Sequence, residues 1–296
     1  MYQKAYGIIE TLAPVHVGTT AGEENGNLNL IFRDQFTQTG IIPGSSIRGR
    51  LRADMRQYYS NLKEQQQLGK IIEIPSESNP DTWYGQPAEI GQPDSTSEAL
   101  IKLEHASIVW LPVFCPGQPI VWVSCPSLLK RYQRIVGIKK NIKASEITYT
   151  ASTELWEKAL ESQDKKSKGK KFLFFNLGFI EIERSDDLSD WFPLGENLPA
   201  VIVDDNDMGM IHDMALYRQS RVALEDNIKK AKKGGFFNIE ALPEGTILAF
   251  PIAIKPNDQE WKPINGGLSG EIYLGGLESI GLGHCNLTIQ HIQEVE

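Results

Sequence analysis

Cysteine is scarce: the 296-residue chain carries 3, namely Cys115, Cys125 and Cys285, with no C-x-x-C pair among them. An odd count at these spacings excludes a disulfide framework and a structural zinc site, and leaves the three as small buried hydrophobes. Long apolar runs are also lacking. The opening MYQKAYGIIETLAPVHVG has no signal-peptide core, and the most apolar stretch, IVWLPVFCPGQPIVWVSCP, is broken by PGQP before it could span a bilayer. A soluble, cytoplasmic protein with no membrane contact is the expectation. There is no internal repeat, and no Ser-His-Asp or Cys-His arrangement can be argued from chain order. IIPGSS lacks the spaced glycines and the Gly-Lys-Ser/Thr ending of a P-loop, and LGGLESIGLGH is followed by neither the helix nor the acidic residue of a dinucleotide fingerprint.

A surplus of positive charge is missing as well, and the net charge of -8 counts at first against nucleic acid. The average conceals an uneven distribution. Half of the 30 Lys and Arg residues fall in three clusters. These are Arg48, Arg50, Arg52 and Arg56; the lysines of ESQDKKSKGKK, from Lys165 to Lys171; and Arg218 and Arg221 with Lys229, Lys230, Lys232 and Lys233. Screening confines each charge to roughly 10 Å, so an acidic chain can still hold a polyanion along one face. With 41% apolar residues the chain can bury a core without metal or disulfides.

Strand signals fall at YGIIETL and LIFRDQF, with the polar loop APVHVGTTAGEENGNLN between them. Residues 63–99 read as a surface insertion of little core, anchored by WYG at 83–85. IVWLPVF and PIVWVSC make a buried hairpin, followed by a helix over PSLLKRYQRIV with Pro126 in its first turn. After the basic loop at 161–171, FLFFNLGFIEIE and LPAVIVDD read as strands. IHDMALYRQSRVALE mixes helical and extended signals, and KKAKKGGFFNIEALPEGTILAFPIAI reads as a basic turn and a strand. EIYLGG, LESIGLG and HCNLTIQHI close the chain as strand, loop and strand. Strands and helices without regular βαβ alternation predict an α+β sheet domain with long insertions.

Three segments are candidates for chemistry. In IIPGSSIRGRLRADMRQYY, Ser45 or Ser46 is placed to cap a helix whose Ile47, Leu51, Met55, Tyr58 and Leu62 face the core. Arg48, Arg52 and Arg56 lie four apart on an adjacent stripe; Arg50 points away and is expected to be dispensable. The segment is either a capped surface helix with a solvated basic face or an anion site of amides, hydroxyls and guanidiniums. Gly275, Gly276, Gly281 and Gly283 would let backbone approach a ligand closely, or simply serve a hairpin loop; His284 beside them is weak evidence. His16 and the loop carboxylates Glu23 and Glu24, with Arg33 and Asp34 beyond, fit no metal motif.

Several segments together resemble a known family. HVGTTAGEENGNLNLIFRDQFTQTGIIPGSSIRGRLR resembles the His-x-Gly, Arg-Glu and IPGSS signatures of the RAMP superfamily of CRISPR effector complexes. LPVFCPGQPIVWVSCPSLLKRY, RQSRVALEDNIKKAKKGGFFNIEALPEGT and LGGLESIGLG are similar to segments of its type III-B, Cmr-type backbone subunit, in family order from about residue 8 to 285. The resemblance implies one RAMP domain over 1–296 with insertions at about 63–100 and 161–235. Its core would be an RRM-like (ferredoxin-type) sheet carrying a protruding β-hairpin thumb. It implies an RNA-binding antiviral defence protein that polymerises with copies of itself along a guide CRISPR RNA, beside other type III effector subunits, and positions complementary target RNA. RNA-binding residues would be His16, Ser45, Ser46, Arg48, Arg52, Arg56, Arg221, Gly275, Gly276, Gly281 and Gly283. The family cuts target RNA with a loop aspartate and a divalent metal. Here that position falls on Asn27, or on Leu28 counted from Arg33, and neither is a carboxylate. Cleavage is expected to be absent or much weakened. The alternatives are a magnesium-dependent endoribonuclease using Glu23 or Glu24, a single-copy RAMP subunit of another type III complex, and a scaffold without RNA contact.

Overall fold

The computed structural model describes residues 2–18, 28–86, 96–118, 120–138, 144–164, 167–176, 178–193, 195–225 and 228–292. Its principal elements in chain order are β1 (Gln3–Thr11), α1 (Gly44–Gln67), α2 (Pro80–Tyr84), β2 (Ala106–Phe114), β3 (Ile120–Ser124) and α3 (Pro126–Val136). The second half contributes α4 (Asp205–Ala215), β4 (Tyr217–Glu225), β5 (Ile228–Ala241), β6 (Ile247–Ile254), β7 (Ser269–Tyr273) and β8 (His284–His291). The fold is mixed α+β, built on an 11-stranded sheet. Its order is Arg184–Asp186, Thr150–Ser152, Ala200–Ile202, β3, β2, β6, β1, β8, β7, with Ile41–Ile42 added to β2 and Ile101–Leu103 to β6.

Apolar residues on both faces of the central strands explain why the sheet is covered twice. On β1, Ile9 pairs with Leu248 and Leu287, and these join the core that buries Ile47, Leu51 and Met55 of α1. Its neighbour Ile8 pairs with Ala249 in a second core, with Leu129, Tyr132 and Ile135 of α3. Each such aliphatic side chain contributes about 1.5–3 kcal/mol by leaving water. β2, buried over Ala106–Val113, reads as a continuous apolar run for the same reason. Its Trp110 stacks on Phe192 at 4.5 Å and donates to the Trp191 carbonyl at 2.9 Å, so the indole N–H is satisfied in the core. The three cysteines are buried free thiols.

Four local expectations are corrected and one double signal is resolved. The α1 N-cap is Pro43, with no side-chain cap; Ser45 and Ser46 lie inside the first turn, and Ser46 and Ile47 donate to the Pro43 carbonyl. Proline's fixed φ starts the helix early without a hydroxyl. The same helix runs through Gln67, so the insertion begins later than residue 63, while Trp83 and Tyr84 are buried as expected of its anchor. FLFFNLGFIEIE is two strands, Lys171–Phe175 and Gly178–Ile182, paired antiparallel. IHDMALYRQSRVALE divides into the end of α4 and the strand β4, which accounts for its double signal. The basic run KKAKKGGFFNIEA is not a turn but strand β5, paired antiparallel with β4 into a long ribbon.

Candidate functional site

The glycine-rich segment 275–283 is where separate parts of the chain converge. Residues 12–18 run along it: the Gly276 amide donates to the His16 carbonyl at 3.0 Å, and the Gly283 amide to that of Pro14 at 2.9 Å. Gly275 has φ +88°, and a Cβ there would sit 2.2 Å from the His16 carbonyl oxygen, so only glycine permits the approach. His16 in turn donates from Nδ1 to the Glu240 carbonyl of β5 at 2.6 Å, while a Cβ on Gly18 would lie 2.7 Å from its Nε2. The His-x-Gly spacing and the Gly-Gly pair are thus two sides of one contact.

The ribbon supplies the opposite wall. β4 pairs Gln219 with Ile239 and Arg221 with Phe237, and that face packs Phe237, Ile239 and Ala241 on Leu277 and Leu282 of the loop. Arg221 donates to the Ile280 carbonyl at 3.4 Å, and its Nε is buried without a partner. The other ribbon face pairs Val222 with Phe236, both exposed, and Arg218 with Glu240. Glu240 accepts from Arg218 at 3.0 Å and from Arg33 at 3.2 Å, and Arg33 also pairs with Asp213. The cations at the ribbon's base are therefore neutralised.

Helix α1 closes the third side with an arginine that the helical projection set aside. Arg50 pairs with Asp54 at 3.0 Å and reaches Glu278 in the glycine loop at 3.5 Å. Arg48 and Arg52 point to the other flank. Arg48 donates to the Tyr84 carbonyl at 2.7 Å and lies over its ring; Arg52 donates to the Gly85 carbonyl at 2.9 Å and pairs with Asp81 at 3.3 Å. Arg56 is exposed, as is Ser45. The projection separated Arg50 from Arg48 and Arg52, as their contacts do, and could not show what lay in each direction.

The candidates therefore divide. His16, Arg221, Gly275, Gly276, Gly281 and Gly283 come together, with Arg50 added; Ser45, Ser46, Arg48, Arg52 and Arg56 do not touch that loop in the contacts described. A Cβ added at Gly276 or Gly281 would meet nothing within 4 Å, so the loop presents bare, open backbone between a basic ribbon and a helix. His284 is occupied by Glu271 at 2.9 Å and a stacked Tyr273. Asn27, Glu23 and Glu24 lie outside the described residues; Leu28 pairs in parallel with Asn238 of β5. Among the described residues no helix is long and apolar enough to cross a membrane, and no group of three or more side chains is arranged to hold a metal ion.

Fold and site together define a mixed α+β protein with an open glycine loop clasped by a ribbon and a helix. The family model of the RAMP superfamily matches residues 8–286, and the chain belongs to that superfamily. Among solved structures it is similar to a subunit of the type III-B Cmr-beta complex bound to cognate target RNA, with TM-score 0.68 and 17% identity over 97% of this chain and 96% of that one. A crystal structure of Cmr4 matches with TM-score 0.60 and 16% identity over 98% and 100%. Oligomeric Cmr4 from Pyrococcus furiosus matches with TM-score 0.60 and 18% identity over 99% and 100%. No curated protein matches the chain.

Proposed function

We propose that this chain is a backbone subunit of a type III-B CRISPR effector complex, polymerised along a guide CRISPR RNA and positioning complementary target RNA. The observation that carries the reading is the convergence of His16, Arg221 and Arg50 on the loop 275–283, whose Gly276 and Gly281 leave backbone open to a ligand. A subunit serving any guide must grip phosphates and sugars and leave the bases free to pair. The Gly276 and Gly281 amides are spent on the His16 and Glu278 carbonyls, so the glycines serve by letting RNA approach the backbone closely, with the nearby guanidiniums as its phosphate partners. The antiparallel order β2-β6-β1-β8 supports an RRM-like, ferredoxin-type core within a single domain, and the ribbon of β4 and β5 fits the thumb. The first insertion then begins after the end of α1 and runs to about 100, and the second, at about 161–235, returns Arg184–Asp186 and Ala200–Ile202 to one edge of the sheet.

Ser45, Ser46 and Arg56 remain guide contacts in this proposal, the serines through their hydroxyls at the start of α1 and Arg56 through its exposed guanidinium. Arg48 and Arg52 have a further duty, since each holds backbone of residues 84–85, and RNA would use only the donors they have left. Target cleavage is absent or much weakened, because Asn27 or Leu28 stands at the aspartate position; magnesium is needed only if Glu23 or Glu24 substitutes. The test is to purify the assembled complex and extract its RNA, then add complementary RNA with magnesium. RNA of fixed length and intact target are expected. A complex without RNA overturns the backbone reading; target fragments at regular spacing, lost in Glu23→Ala or Glu24→Ala, overturn the inactivity.

A further inference from the structure

A cavity of about 390 Å³ lies on the α3 side of the sheet and includes none of the residues discussed above for RNA. Its floor is sheet. Lys4 on β1 and Lys102 on the short strand Ile101–Leu103 both pair with Ala253 of β6, so the two lysines flank a small residue on one face. Two strand spacings put their stems roughly 10 Å apart. Arg131 and Arg134, one helical turn apart on α3, line the cavity from above, and Pro251 and Ile135 complete its apolar surface. Four cations thus surround one opening in a chain of net charge -8, with Glu104 as the acid in the lining.

The four are not equally committed. Arg131 is held by Ser107 at 2.9 Å, the His105 carbonyl at 3.3 Å and Glu104 at 3.6 Å, and Lys102 by Glu98 at 2.9 Å. The side chains of Lys4 and Arg134 make no hydrogen bond or ion pair among the described residues. Burial first, and the like charge of Arg134 among the further causes, lower the pKa of Arg131. An anion between them would remove that repulsion.

We propose that this cavity binds a nucleoside phosphate, its ring system on the apolar floor of Ala253 and Pro251 and its phosphate between Arg131, Arg134 and Lys4. The volume lies in the range of small-ligand sites, roughly 300–1,000 Å³. Planar guanidiniums fork onto phosphate oxygens, and the lysines add point charge at the rim. A simple inorganic anion would leave the apolar floor exposed, and an apolar ligand would leave Lys4 and Arg134 unpaired. The ligand is either a free nucleotide or a terminal nucleotide of an RNA strand.

The test is Lys4→Gln with Arg134→Gln, which removes no described side-chain hydrogen bond or ion pair, titrated beside the unaltered protein with three probes: adenosine 5′-monophosphate, inorganic phosphate, and a short RNA with or without a terminal phosphate. The double variant is expected to keep its unfolding temperature and to bind the monophosphate about tenfold more weakly, or worse. Inorganic phosphate should compete poorly. If the terminally phosphorylated RNA binds through Lys4 and Arg134 more tightly than the free nucleotide, the site holds a strand end; if the free nucleotide matches it, the site holds a metabolite. No monophosphate binding, or equal binding by the double variant, overturns the proposal. Gly276→Asp in the loop 275–283 should leave this binding unchanged, so failure here and failure of the guide-RNA reading are distinguishable.

Discussion

Arg52 carries two structural bonds where the sequence offers a phosphate ligand. Its guanidinium holds the Gly85 carbonyl and Asp81, and its Nε is buried without a partner, so it ties α2 to α1. Arg52→Ala is expected to lower stability by about 1–3 kcal/mol, the cost of leaving a buried acceptor unpaired. It should also expose residues 68–86 to proteolysis, both read by denaturant unfolding and limited digestion. Arg52→Lys should rescue part of the loss, because both bonds leave the one nitrogen Nη2 and an ammonium has donors enough for two acceptors. Unchanged stability with weakened RNA retention would assign Arg52 to RNA alone. At this scale the sequence showed which residues share a helix face, since periodicity is local. It hid the Gly276 to His16 bond, and with it the reason for both glycine motifs, because the partners are distant in the chain.

Among the elements, α4 is joined to the strand region before α1 by a histidine that sequence reading passed over. His212 is fully buried and accepts at Nε2 from the Gly40 amide at 2.9 Å, with Asp213 3.7 Å from Nδ1. Burial, then the Arg33 guanidinium, push its pKa from 6.5 down to about 4, against the opposing pull of Asp213. The unfolded chain therefore takes up the proton first as pH falls. Stability from this residue is intact above pH 6.5 and is lost between 6.5 and about 4, to a total of about 3 kcal/mol. Urea midpoints at pH 7 and pH 5 should differ, and His212→Gln, whose side-chain oxygen can still accept from Gly40, should flatten the difference; an unaltered slope would contradict the assignment. The ribbon shows the limit of reading elements from composition. Lysines and glycines in KKAKKGG signal a turn, yet long antiparallel pairing with β4 makes them strand, a tertiary choice that local propensity does not carry.

For the whole molecule, the irregular order of helices and strands was enough to expect a mixed α+β sheet, and four motifs in family order were enough to place the chain among the RAMP proteins. Net charge was the weakest guide. A chain at -8 gathers its cations locally, and Glu240, Asp213 and Asp81 then consume several of them as internal partners. What remains for RNA is open backbone more than open charge. That is why the most direct measurement is made at Gly276, where an added side chain meets no protein atom within 4 Å. Single-stranded RNA affinity, measured across a salt series for the unaltered chain and for Gly276→Asp, should fall by about tenfold or more in the variant, with the unfolding temperature unchanged. Equal affinity and equal salt slope in the two proteins would contradict the account.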